Sequence, residues 1–286
     1  MRSPFLFILS VAVVTGCSGG SHRTGPVDGA TAPAAGSSLG DSSESSAGGF
    51  GGASGPGFAP GAGGCTTGTM THSPANPVDT DQDNTPDTVT FTFANCAVVG
   101  SNGTETLNGT VSVADGTPTV PDFDFTATHD VHIDLAGAGT HAGESATIHV
   151  TGSRSATGTA AGPTYTMMDE TANDGTLTKG AEIHHVSDSK TWNVSFTPST
   201  AWTPGTQLVG GALSIAGTWS VHVDDKGADA TLTSTGLMTL QSCMTHLVAG
   251  SITATYAGTN GNSTITVTWS GCGQRAVTYT GATTGP

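Results

Sequence analysis

From about residue 63 onward, apolar and polar side chains alternate with a period of two. That is the mark of strands with one dry face and one wet face. The longest example is Asp122–Leu135. Phe123, Phe125, Ala127, His129, Val131, Ile133 and Leu135 take one parity, while the intervening Asp, Thr and His residues take the other. The pattern recurs at Val89/Phe91/Phe93, Val111/Val113, Ile148/Val150, Trp192/Val194/Phe196 and Leu213/Ile215/Trp219/Val221/Val223. It returns at Ile252/Ala254/Tyr256, Ile265/Val267/Trp269 and Val277/Tyr279. Ser101-Asn102-Gly103, Asn173-Asp174-Gly175, Asp225-Lys226-Gly227 and Asn260-Gly261-Asn262 read as turns between strands. No segment carries a helical period, so the apolar strand faces must bury one another. The expected fold is all-β: a single antiparallel meander closed or curled into a barrel-like sheet, with a β-sandwich as the alternative.

The pattern breaks down before residue 63. Residues 1–16 hold one base, Arg2, and an apolar run from Phe5 to Val14. That run is too short to span a bilayer and reads as an export signal. The following Val14-Thr15-Gly16-Cys17 resembles the lipobox of bacterial lipoproteins. The resemblance implies cleavage before Cys17, lipidation of Cys17, and, with Ser18 next, sorting to the outer membrane of a Gram-negative cell. Residues 17–62 are dominated by Gly, Ser, Ala and Pro and are expected to be a disordered tether carrying the lipidated cysteine. A flexible chain of about 45 residues would span roughly 35–40 Å. Residues 63–286 form the β domain, roughly the size of one all-β domain or two small ones.

Composition narrows the functional classes. Only 10% of residues are charged, and the net charge is −15, from 22 acids against 7 bases. Without a Lys/Arg cluster, nothing would neutralise phosphates, so no nucleic-acid partner is expected; attraction of cations is the natural consequence. Aromatic residues make up 6%, too few for the two girdles of a transmembrane barrel. Besides Cys17, the cysteines are Cys65, Cys96, Cys243 and Cys272, an even set that reads as two disulfides in an exported chain. Of the three connectivities, Cys65–Cys96 with Cys243–Cys272 is favoured, because each closes a local loop of about 30 residues.

The densest run of carboxylates lies between Cys65 and Cys96: Asp79, Asp81, Asp83 and Asp87, spaced D-x-D-x-D-x-x-x-D. Hard cations such as Ca²⁺ take six to eight oxygens, and alternating acids on a tight loop can aim several inward. The run resembles the acidic calcium loops of thrombospondin type 3 repeats and EF-hand-like loops. By that resemblance Asp79, Asp81, Asp83 and Asp87 would bind calcium, with Thr85 offering its backbone carbonyl. Asn84 takes the place where such loops carry Gly, and Thr90 that of the EF-hand Glu. By parity His132 shares a wet face with Asp130 and Asp134, and His149 and His222 also face solvent. They would gather around a transition metal only on neighbouring strands; isolated surface histidines are the ordinary reading. His129 and His246 fall on apolar faces. Asp169-Glu170 and Asp224-Asp225 read as loop acids. Neither a G-x-S-x-G elbow nor a phosphate-cradling lysine loop is present.

Lipobox, low-complexity tether, Cys-flanked acidic loop and Thr/Gly-rich strands ending in Gly271-Cys272-Gly273 together resemble uncharacterised bacterial lipoproteins. The resemblance implies an architecture and no activity. The expected function is a non-enzymatic envelope module with a binding or structural role, stabilised by calcium. It would be held on the outer membrane by its lipid and face an unknown envelope or extracellular partner. The alternatives are a secreted-type hydrolase acting on glycans and a carrier of small apolar ligands in a barrel cavity.

Overall fold

The computed structural model describes residues 39, 40 and 43, and residues 65–281 apart from 84, 101–102, 140–141, 160–161, 163, 205–209, 225, 244–245 and 258–261. The signal segment and Cys17 lie outside the described residues. Twelve strands follow one another: β1 (Thr67–Ser73), β2 (Thr88–Gly100), β3 (Gly103–Asp115), β4 (Phe125–Gly137), β5 (Glu144–Thr157) and β6 (Tyr165–Lys179), then β7 (Glu182–Pro198), β8 (Gly211–Val223), β9 (Lys226–Thr239), β10 (Leu247–Tyr256), β11 (Ser263–Gly271) and β12 (Gln274–Thr280).

Each strand pairs antiparallel with its neighbours in sequence, in the order β1 to β12. The sheet is the expected meander, but it is not closed, since β1 and β12 remain at opposite edges. One face is nonetheless buried. Trp192, Phe125, Phe196, Tyr165 and Ile215 are almost fully sequestered. With no second layer among the described residues, the sheet must curl so that its apolar face covers itself. Each large side chain buried this way contributes roughly 1.5–3 kcal/mol. Two clusters result. The larger runs through β2 to β11; the smaller lies between β2 and β5, around Leu107, Ile133 and Ile148.

Three strands depart from the sequence reading. β1 is almost wholly exposed and has no dry face to detect. β6 runs straight through Asn173-Asp174-Gly175, which pair in register with both β5 and β7, so that run is not a turn. β9 buries Ala230, Leu232 and Leu237, whose spacing breaks the period of two where the pairing with β8 shifts register.

The supposed tether also contributes to the core. Leu39 and Gly40 are helical and Leu39 is 0% exposed, a member of the larger cluster. The Ser43 hydroxyl donates to the Leu39 carbonyl at 2.7 Å, the spacing of one helical turn. A Cβ added at Gly40 would come within 2.6 Å of the Arg275 guanidinium on β12, so this turn lies beside that edge of the sheet. At these positions the segment is packed structure rather than free chain. Among the described residues, no helix is long and apolar enough to cross a membrane.

Candidate cation site

Strand order brings two acidic loops together. The loop 74–87 enters β2 and the loop 116–124 leaves β3. Because β2 and β3 are paired from Thr88↔Ala114 outward, both loops emerge side by side at one end of the sheet. The Asp115 amide continues the ladder by donating to the Asp87 carbonyl, and the Asp87 amide donates to the Val78 carbonyl.

Five carboxylates converge there. Asp79, Asp81 and Asp83 place ligand oxygens within 4.8 Å of one another, and Asp83, Asp115 and Asp122 do the same, with Asp83 common to both sets. Each is anchored through one oxygen. Asp79 Oδ1 accepts from the Gln82 and Asp83 amides, and Asp81 Oδ1 from the Asp83 amide. Asp83 Oδ1 accepts from the Thr85 amide, Asp115 Oδ1 from the Thr117 amide, and Asp122 Oδ1 from the Thr117 hydroxyl. The second oxygens are different. Asp81 Oδ2, Asp83 Oδ2 and Asp115 Oδ2 are buried atoms with no hydrogen-bond partner. Asp83 is only 5% exposed and Asp115 only 7%.

Burial of an unpaired carboxylate is expensive, and the electrostatics reflect it. Desolvation, with the charges of Asp81 and Asp115 adding to it, pushes the Asp83 carboxyl up to about 7. Asp81, Asp115 and Asp124 are also raised, in each case chiefly by burial and then by neighbouring carboxylates. An all-oxygen donor set with locked geometry and unanswered negative charge is what a hard divalent cation neutralises.

The sequence-predicted ligands divide. Asp79, Asp81 and Asp83 converge as expected. Asp87 stands apart: Oδ1 accepts from the Thr80 amide and Oδ2 from the Thr80 hydroxyl, so it clasps the loop shut and is depressed by those bonds. Thr85 is buried and gives its amide to Asp83. Asp115 and Asp122 were not foreseen. The signal for Asp115 was present, since it continues the inward parity of Val111 and Val113, where a carboxylate must meet a partner or an ion.

No family model matches this chain. Neither does any curated protein or solved structure.

Both disulfides pair as the sequence reading favoured, Cys65–Cys96 and Cys243–Cys272, with Cα separations of 5.0 and 5.5 Å. The first ties the chain just before β1 to β2 towards its Gly100 end, the opposite end of that strand from the acidic loops.

A second polar constellation lies inside the curl. Asp169 is on β6, not in a loop, and is 1% exposed. Its Oδ2 takes Arg154 Nη2 at 2.6 Å and Lys190 Nζ at 3.0 Å, and Oδ1 accepts from the Thr171 hydroxyl. Burial alone would raise this carboxyl, yet the two cations hold it well below the usual carboxylate range. Asp188 nearby is raised by burial and accepts from the Asn173 amide. Neutral His129, lowered to about 4 by desolvation, completes the group. The acids here are matched by bases within the protein, unlike those of the loop site.

Proposed function

We propose that this protein is a non-enzymatic, lipid-anchored bacterial envelope module whose β domain is fastened by a calcium ion. Asp79, Asp81, Asp83, Asp115 and Asp122 would hold the ion, joining the loop before β2 to the loop after β3. The observation that carries the reading is the pair of buried, unpartnered oxygens on Asp83 and Asp115. Such atoms would cost about 1–3 kcal/mol or more each if left unanswered, and a dication repays that cost. A structural rather than catalytic role is favoured by the anchoring of each carboxylate on loop amides or a loop hydroxyl. Against an apolar carrier stands the packing of aromatic side chains from several strands into one buried cluster. Anchorage through Cys17 rests on the lipobox resemblance.

The test is thermal unfolding of the oxidised full-length protein in calcium against excess chelator. At about one hundred times the dissociation constant, calcium should add roughly 2.7 kcal/mol, a rise of about 5–10 °C for a domain this size. Asp83→Asn and Asp115→Asn should each abolish the rise. Unchanged melting at millimolar calcium would reject the ion site, and loss of the rise in Asp83→Asn but not in Asp115→Asn would confine it to the first loop.

A further inference from the structure

We infer that the outer face of β4 and β5 carries a second metal site, built from His132, His149 and Asp130, that takes a borderline transition-metal dication such as Zn²⁺ or Cu²⁺. The inference is independent of the calcium reading and uses none of its residues.

The geometry starts from register. β4 and β5 pair without a bulge from Phe125↔Ala156 to Ala136↔Ser145, which sets His132 directly opposite His149. Residues facing each other across an antiparallel pair have Cβ atoms about 4.5–5.5 Å apart, so two imidazoles there can share one ion. Their rings lie stacked, 4.0 Å apart and 9° from parallel, so each turns about its side-chain torsions to aim an in-plane nitrogen at a shared ion. Asp130, two residues before His132 and hence on the same face, meets His149 Nε2 through Oδ1 at 2.7 Å. One ligand atom from each of the three lies within 4.8 Å of the others.

The donor set defines the ion. Imidazole nitrogens are poor ligands for Ca²⁺ or Mg²⁺ and good ones for Zn²⁺, Cu²⁺ and Ni²⁺, while a single carboxylate suits either class. The surroundings suit a cation as well. Asp134 stands two residues beyond His132, held by the Thr147 hydroxyl, and Asp174 faces His149 from β6, held by His185 Nε2 at 3.0 Å. Each neighbouring acid is thereby steadied outside the three-ligand set. An alternative role for the stacked rings is plain packing, but this pair sits on the wet face, where packing contributes little. His222 shares the face but stands on β8, beyond β6 and β7, and takes no part.

The experiment is a Zn²⁺ titration of the oxidised full-length protein in excess calcium, by calorimetry and by imidazole NMR. One equivalent of Zn²⁺ should bind, shifting two of the ten histidines. His132→Ala and His149→Ala should each weaken binding at least tenfold, since even groups that merely orient a metal ligand cost about 10–100-fold when removed. Asp130→Asn should weaken it less. His222→Ala and Asp83→Asn should leave it unchanged. All these histidines are on the solvent face, so melting without zinc should match the parent and report that the variants fold. Binding that survives either histidine substitution, falls equally in His222→Ala, or is displaced by calcium would overturn the assignment.

Discussion

Removing Asp169 is the sharpest test of the packed interior. Its carboxylate is the shared counter-ion of Arg154 and Lys190, whose side chains are themselves largely buried. Lys190 Nζ also lies 5.1 Å from the centre of the Trp192 ring, and Trp192 is directly opposite Asp169 on β7. In Asp169→Ala both cations would stay buried beside Trp192, with the burial-raised Asp188 as the acid left near Lys190. Breaking a buried pair in this way costs about 3–5 kcal/mol, a large share of the roughly 5–15 kcal/mol that a domain has in total. For a domain of this length the midpoint should fall by about 10 °C. The triple change Arg154→Met, Asp169→Leu, Lys190→Met removes the shared carboxylate together with both its cations and should cost much less than Asp169→Ala, because it leaves no buried cation unpaired and burial already favours the neutral form of Asp188. Urea unfolding of the oxidised protein at pH 7 measures both. The acid limb gives a second readout. The folded carboxyl is depressed, so its contribution is present above the unfolded value of 3.8 and is lost as pH falls below it. Asp169→Ala should therefore flatten that limb. A loss under 1 kcal/mol in Asp169→Ala, or an equal loss in the triple variant, would refute the reasoning.

Two further changes probe other parts of the domain. Glu105 on β3 is raised to about 7 by burial, and its Oε1 has no partner, so it folds as the neutral acid and disfavours the fold once ionised. Stability from this group is present below its unfolded value and lost as pH rises to about 7; Glu105→Gln should stabilise by about 2 kcal/mol at pH 8 and change little at pH 4, by urea unfolding. Leu39→Ala should cost about 2–4 kcal/mol, as a cavity in a packed core does. If residues 17–62 act only as a tether, that substitution will leave the unfolding midpoint where it was.

Period-two alternation exposed nine of the twelve strands, since each of those has one face that must be dry. β6 was missed for a different reason from β1, which has no dry face. β6 carries Asp169, Asn173 and Asp174 among its strand residues. Its inward polar groups are satisfied by Arg154, Lys190 and Asp188 on neighbouring strands, a tertiary compensation that local sequence does not display. Gly175, which looks like a turn residue, is instead required by close approach. A Cβ there would fall 2.1 Å from the Thr147 carbonyl oxygen of β5. Three of the five carboxylates of the cation site were legible, because Asp79, Asp81 and Asp83 stand two residues apart on one loop. Asp115 and Asp122 arrive through the β2–β3 pairing, and Asp87 drops out because a threonine seven residues before it claims both oxygens. His132 and His149 were visible as wet-face residues, and only register could make them partners.

The meander has a consequence for how the chain comes into being. Every strand bonds only to the strands just before and after it, and the disulfides span 31 and 29 residues. Sheets that join distant segments must pay loop-closure entropy first and fold slowly for it. Here each new hairpin finds its template already in place, and each thiol pair is complete once its own hairpin has formed. The growing edge is always the last strand made. Synthesis and assembly of the sheet can therefore run in the same direction, with no early strand waiting, unpaired, for a late one; the turn at Leu39 and Gly40, beside Arg275 of β12, is the early piece that docks last.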